Sequence, residues 1–214
     1  MDDSIKDLET IQQVFDKFGV KFYITYGALL GHYRDKKFLP GDDDIDLTVI
    51  EPISLETRKK IGWALYDLGF KPQQILFNVF GRIEPSEVGY NGDGETGIIV
   101  CERNFKFTIF FFKEEMCEMH GPEYVCIPKL GALRLISTPK RFFLKDGSIK
   151  IGKKKYPTPS PIEENLAFTY FDNWKDKLDR RHGETYDIMH HRDETQYDIE
   201  GKNECTIWKN ETPS

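Results

Sequence analysis

Apolar residues recur at Ile5, Leu8, Ile11, Val14, Phe15 and Phe18, the period of one helix face, and predict a helix over Ser4 to Phe18 that Gly19 stops. Val20 to Tyr26 is rich in β-branched and aromatic residues and predicts a strand, which Gly27 breaks. Ala28 to Arg34 reads as a short helix or turn, and Asp35 to Asp43 as a loop. A second strand spans Asp44 to Ile50, and a helix capped by Ser54 runs to Leu68, where Gly69 ends it. A third strand is predicted over Gln74 to Ile83, followed by the Gly-rich loop Glu87 to Gly97. Gly97 to Glu102, Phe105 to Phe112 and Glu123 to Pro128 read as further strands. Helices and strands in that order predict an α/β (α+β) fold, a mixed sheet with flanking helices, and no internal repeat is visible.

Beyond Pro128 the pattern changes. Lys129 to Ser137 and Ile162 to Trp174 read as helices, with Lys145 to Pro161 between them as a hairpin or loop. From Asp176 the chain is strongly polar. The expected organisation is a domain over 1–128, a helical C-terminal extension over 129–175 packed on it, and a polar tail over 176–214.

The 214 residues, 39% of them hydrophobic, suffice to bury a substantial core. A formal net charge of -6 argues against broad nucleic-acid binding, which needs a basic surface, although Lys150, Lys153, Lys154 and Lys155 form a local basic patch. The N-terminus lacks the basic and apolar regions of a secretory signal, and the longest apolar run, Phe107 to Phe112, is far too short to span a bilayer. The expectation is a cytoplasmic chain with no membrane span, in which the sequon at Asn210 is idle. Cys101, Cys117, Cys126 and Cys205 are irregularly spaced. A zinc site can be drawn from Cys101, Cys117, His120 and Cys126, but reduced thiols are the simpler reading. His190 and His191 read as a solvated pair in the tail.

The chemistry concentrates at Asp42, Asp43, Asp44 and Asp46, four carboxylates within five residues at the mouth of the second strand. Such crowding costs free energy unless a cation sits among them. Side chains alternate along a strand, so Asp44 and Asp46 share one face while Ile45 enters the core. Two carboxylates on one face suit Mg²⁺ or Mn²⁺, which prefer hard oxygen ligands. Asp42 has the same parity and Asp43 the opposite one. Upstream, Gly27 stands where a strand gives way to a helix start, which allows close backbone approach and phosphate binding by free amides. Arg34 can clamp a phosphate or pair with Asp35 or Asp43. Arg82 ends the third strand and can face the same site.

The segment "GALLGHYRDKKFLPGDDDIDL" resembles the signature of the LicD family, which includes bacterial phosphocholine transferases and fukutin-type ribitol-phosphate transferases. The matched positions are Gly27, Leu29, Leu30, Gly31, Arg34, Phe38, Pro40, Asp42, Asp44 and Asp46. The resemblance is firm over Val20 to Ile50, and weaker around Pro157 to Lys177, where Phe171 stands at a usual Gly. It implies a nucleotidyltransferase-like sheet and transfer of a phosphocholine or polyol phosphate from a CDP-activated donor to the hydroxyl of a glycan or other sugar acceptor. Asp44 and Asp46 would hold the metal, Asp42 would act as base, and Gly27, Gly31, Arg34 and Arg82 would hold the donor. Gly41 replaces a frequent Trp. Thr108 stands where the family usually has a third carboxylate, so either the three Asp of the cluster suffice, or Glu102, Glu114 or Glu115 substitutes, or activity is reduced or lost. On its strand Thr108 should share a face with Lys106 and Phe110, opposite the apolar Phe107, Ile109 and Phe111, and so meet Asp44 and Asp46. Tyr170 and Trp174 could stack on a base or sugar, although core is the commoner role for such a stripe. A nucleotidyltransferase moving NMP itself, and a catalytically silent nucleotide-binding module, are the alternative readings.

Overall fold

The computed structural model describes residues 3–39, 42, 44–72, 98–112, 122–129, 134–170, 174–176 and 194–196. Helix α1 (Asp3–Lys17) leads through β1 (Tyr23–Ile24) into α2 (Tyr26–Asp35), β2 (Asp44–Val49) and α3 (Leu55–Asp67). Strands β3 (Lys71–Pro72), β4 (Ile98–Glu102), β5 (Lys106–Phe111), β6 (Tyr124–Lys129) and β7 (Arg134–Pro139) follow. The hairpin β8 (Gly147–Ile151) and β9 (Lys154–Thr158), helix α4 (Ile162–Tyr170) and β10 (Glu194–Gln196) complete the order.

The main sheet runs β1-β2-β5-β4-β3. Its β2 and β5 are parallel and the other neighbours antiparallel, so the mixed α/β class expected from the pattern is what forms. One face carries Ile45, Leu47, Val49, Ile99, Phe107, Ile109 and Phe111, packed against Leu8, Ile11 and Phe15 of α1 and Ile61 and Leu65 of α3. On the other face Ile98, Val100 and Phe110 form a second apolar cluster with Phe112 and Val125. Burial on both faces explains why β5 reads as an almost unbroken apolar run.

One buried charge ties the helices to the sheet. Asp7 of α1 is fully buried and accepts hydrogen bonds from Arg103 Nε (2.8 Å) and Nη2 (2.6 Å). Its carboxylate also accepts from the backbone N–H groups of Asn104 (2.8 Å) and Phe105 (3.2 Å), and from the Asn104 amide at 2.9 Å. Asp7 therefore organises the β4–β5 turn. Arg103 in turn donates to Leu68 O at the end of α3 and lies over the Phe70 ring, 4.6 Å from its centroid.

Three expected elements differ. The strand over Val20 to Tyr26 shortens to Tyr23–Ile24, because Tyr26, at φ 47°, already opens α2. The helix expected over Lys129 to Ser137 is instead the last residue of β6 and the start of β7, with 130–133 outside the described residues. Arg134 to Pro139 pairs antiparallel with β6, from Lys129↔Arg134 to Tyr124↔Pro139. The β-branched Ile136 and Thr138 suit that ladder, and nine residues are too few for periodicity to choose helix over strand. The hairpin thus straddles the expected 128/129 division, and among the described residues helix in the extension consists of the short 3-10 turn Lys140–Phe143 and α4. Within the expected polar tail, β10 pairs antiparallel with β7. The predicted strand over Gln74 to Ile83 and the loop after it lie outside the described residues.

Removing one partner of a buried, hydrogen-bonded ion pair strands the other. Arg103→Ala, which leaves Asp7 buried and charged, should cost about 3–5 kcal/mol, and Asp7→Ala about 3 kcal/mol, since Arg103 can still reach water. Urea unfolding at neutral pH measures both; a loss under 1 kcal/mol in each would remove the lock from the account.

Candidate active site

The site is built by register. In the parallel pair β2–β5, Asp44 stands opposite Lys106, Asp46 opposite Thr108 and Thr48 opposite Phe110. The antiparallel pair β4–β5 extends these rows, with Glu102 beside Lys106 and Val100 beside Thr108. Successive residues alternate faces, so one row across the sheet reads Asp44, Lys106, Glu102 and the next Asp46, Thr108, Val100. The Thr108 hydroxyl donates to Asp44 Oδ2 at 2.6 Å. Thr108 is 1% exposed, whereas Asp44 and Asp46 are half-buried. Thr108 therefore meets the acidic strand as its alternation predicts, and Phe107, Ile109 and Phe111 face the core.

Asp42 joins from the preceding loop. A Cβ on Gly27 would collide with the Asp42 Oδ2 atom, so only glycine lets that carboxylate lie against the first turn of α2. That turn holds no acidic residue and Thr25 makes no side-chain cap, which leaves its positive end for a carboxylate from outside the helix. Tyr26 adopts a left-handed φ of 47°, uncommon for a non-glycine residue, and its ring meets Phe110 edge-on at 6.1 Å. Thr25 Oγ1 and Thr48 Oγ1 lie 2.9 Å apart, and the Thr25 N–H donates to Asp46 O at 3.3 Å. Beyond them a narrow crevice is lined by Thr25, Tyr26, Thr48, Thr138, Asn165 and Thr169, among others.

The remaining predicted residues sit as follows. Gly31 packs against the loop after α2: a Cβ there would approach Lys37 O to 2.6 Å and Leu39 N to 2.9 Å. Arg34 takes the ion-pair alternative, donating from Nε (3.1 Å) and Nη2 (2.9 Å) to Asp35 Oδ2. Its Nη1 donates to the carbonyls of Trp174 (3.0 Å) and Asp176 (3.2 Å), which pins the C-terminal segment to α2. Tyr170 and Trp174 are buried in the main core, as the commoner reading of their stripe has it. Cys101 is buried in that core too, and burial, then the nearby Asp7 charge, pushes its thiol pKa well up, which disfavours the thiolate a zinc ion needs. Arg82, Asp43, Glu114, Glu115, Cys117 and His120 lie outside the described residues, as does the side chain of Cys126.

Among the described residues no group of three or more His, Cys, Asp or Glu gathers in a way that could hold a metal ion. What β2 offers is a pair of half-buried carboxylates on one face, Asp44 and Asp46. That donor set fits Mg²⁺ or Mn²⁺, which commonly take one or two carboxylates and complete their shell with water and substrate phosphate. Lys106 is the functional candidate that sequence reasoning passed over. Alternation puts it on the Thr108 face, but only the register sets it between Asp44 and Glu102.

Residues 19–71 match the family model described as LicD/FKTN/FKRP, nucleotidyltransferase domain. The chain is 29% identical over 113 residues to the ribitol-5-phosphate transferase FKTN of Macaca fascicularis, covering 52% of this chain and 21% of that protein. The Homo sapiens FKTN is 28% identical over 113 residues, with the same coverage of 52% and 21%. The match thus spans about a fifth of the length of these relatives. A solution structure of the antibiotic-resistance factor ANT(2'')-Ia superposes with a TM-score of 0.44 at 16% identity, over 88% of this chain and 84% of that one. So distant a superposition carries no weight beside the sheet itself and the family match. No helix among the described residues is long and apolar enough to cross a membrane. The segment that matches the LicD/FKTN/FKRP model, 19–71, contains Gly27, Asp42, Asp44 and Asp46, so the chain is similar to that family over the stretch that builds the acidic strand and the start of α2.

Proposed function

We propose that the chain is a metal-dependent transferase that moves a phosphorylated head group, phosphocholine or a polyol phosphate, from a CDP-activated donor to a sugar hydroxyl. The observation that carries this reading is the β2–β5 register, which puts Asp44 and Asp46 on one face beside Thr108. The family-model match over 19–71 and the FKTN similarity support the class of reaction.

In this reading the acceptor hydroxyl oxygen attacks the phosphorus that bears the head group. A new P–O bond forms there, the bond to CMP breaks, and CMP leaves with the electron pair. Asp42, held against Gly27 at the start of α2, takes the hydroxyl proton. Asp44 and Asp46 would hold Mg²⁺ or Mn²⁺, which supplies charge neutralisation at the diphosphate. Lys106 stands between Asp44 and Glu102 and moderates their repulsion, and it is placed to add a positive charge for a donor phosphate. Thr108 gives the Asp44 carboxylate a fixed orientation rather than a third negative ligand.

The silent-module alternative draws on one observation: the position of the family's third carboxylate is filled by a hydroxyl already engaged with Asp44. Metal separates the two readings. Mn²⁺ should bind the parent chain in isothermal titration, and Asp44→Ala or Asp46→Ala should abolish that binding while the far-ultraviolet circular dichroism stays unchanged. CDP should raise the melting temperature only when Mn²⁺ is present, by the equivalent of about 2.7 kcal/mol at a hundredfold excess over Kd. Equal stabilisation without metal would favour the silent module. Stabilisation by ATP or GTP with every cytidine nucleotide inert would refute the donor.

Thr108→Asp restores a carboxylate opposite Asp46. It should tighten Mn²⁺ binding and lower the stability of the metal-free protein by about 1–3 kcal/mol, the cost of a further buried negative charge. Unchanged affinity in a folded variant would mean that the third ligand comes from elsewhere, with Glu102, in the neighbouring row of the same face, the first to substitute.

A further inference from the structure

We propose that the outer face of the β8–β9 hairpin is a docking surface for an anionic lipid bilayer. The inner face makes the hairpin a fixed platform. Ile149, Ile151 and Tyr156 belong to the main core, and the Tyr156 ring stacks on Phe22 at 6.4 Å. At the tip, Gly152 lies so close to α1 that a Cβ would come within 2.7 Å of Ile5 Cγ2. At the base, Asp146 accepts from the Tyr23 hydroxyl at 2.7 Å and from Lys21 Nζ at 3.0 Å. The hairpin therefore wraps the β1 edge of the sheet from the crevice side, where Pro159 follows β9, to α1.

Every charge on its outward face is positive. Lys150 and Lys155 are both exposed and stand directly opposite each other in the register, and the exposed Lys153 sits at the turn. Lys154 is half-buried beside them. No acidic residue occurs between Gly147 and Thr158, in a chain whose formal net charge is -6. None of the four ammonium groups has a carboxylate partner among the described residues. Like charges directly opposite each other on a ladder destabilise it, and an external anionic surface reverses that cost. The acidic remainder of the chain is repelled by the same surface, which fixes the orientation of approach.

The apolar component selects lipid over a soluble polyanion. Leu144, three residues before β8, is 79% exposed and is flanked by the exposed Arg141 and Lys145. An apolar side chain among cations is the composition that enters the headgroup boundary of a bilayer, with lysine stems spread along it. The outward face carries Ser148, Lys150, Lys155 and Pro157 and no aromatic ring, so it offers a nucleic-acid strand no platform for base stacking.

Vesicle flotation of the full chain tests this without donor, acceptor or metal, so it stands or falls apart from the transfer reaction. The chain should float with vesicles containing 30% phosphatidylserine at low salt and not with pure phosphatidylcholine. The triple variant Lys150→Gln, Lys153→Gln, Lys155→Gln should bind roughly a hundredfold more weakly. Leu144→Ser should weaken binding severalfold. All four side chains are exposed, so the melting temperature should hold and separate lost docking from lost fold. Absence of flotation with anionic vesicles would overturn the proposal. So would Leu144→Ser binding as tightly as the parent while soluble polyphosphate competes fully, because the stripe would then read charge alone.

Discussion

The parallel pairing of β2 with β5 is the constraint on which the rest depends. Among the described residues it is the one parallel step in the main sheet, and it joins segments some sixty residues apart in the chain. Its register is held from both faces. With Ile45, Leu47 and Val49 facing α1 and α3, Asp44, Asp46 and Thr48 must face the other way. A slip of one residue would bury both carboxylates in an apolar core and expose three aliphatic side chains, so no neighbouring register competes. The same pairing brings Thr108 to Asp44 and sets Lys106 between two acids. Folding and site assembly are therefore one event.

Two further contacts hold the frame around that pair. Asp7 closes the β4–β5 turn from α1, and so fixes the strand that carries Lys106 and Thr108. Arg34 fastens the end of α2 to the C-terminal segment, and so fixes the helix whose start receives Asp42. Neither residue needs to touch a substrate to matter. A weakened Asp7 or Arg34 would act through the position of the carboxylates, with stability and metal affinity moving together.

Much of this was legible in the sequence where one face of one element decides. The α1 face, the parity of Asp44 and Asp46 and the opposite parity of Thr108 each follow from alternation or helical period alone. Gly27 was read as a point of close approach, and the structure names what approaches: the Asp42 carboxylate. What stayed hidden depends on partners distant in the chain. Lys106 gains its meaning only from which residues stand opposite it. Arg34 was balanced between a phosphate and an acid, and only the packing of Trp174 and Asp176 onto α2 favours the structural role. For β7, nine residues of mixed polarity fit either period, and the β6 ladder decides between them. The Asp7 lock had no local signal, because its partners lie on a turn some hundred residues away.

The central claim is that Asp44 and Asp46 form a cation seat beside Thr108. Paramagnetic broadening by Mn²⁺ in a two-dimensional NMR titration locates such a seat directly. At substoichiometric Mn²⁺ the amides of Asp44, Ile45, Asp46, Phe107 and Thr108, and the Thr108 methyl, should broaden first, and Asp46→Ala should abolish the effect. Broadening centred instead on an acidic surface such as Glu163 and Glu164, with the Thr108 methyl still sharp, would contradict it.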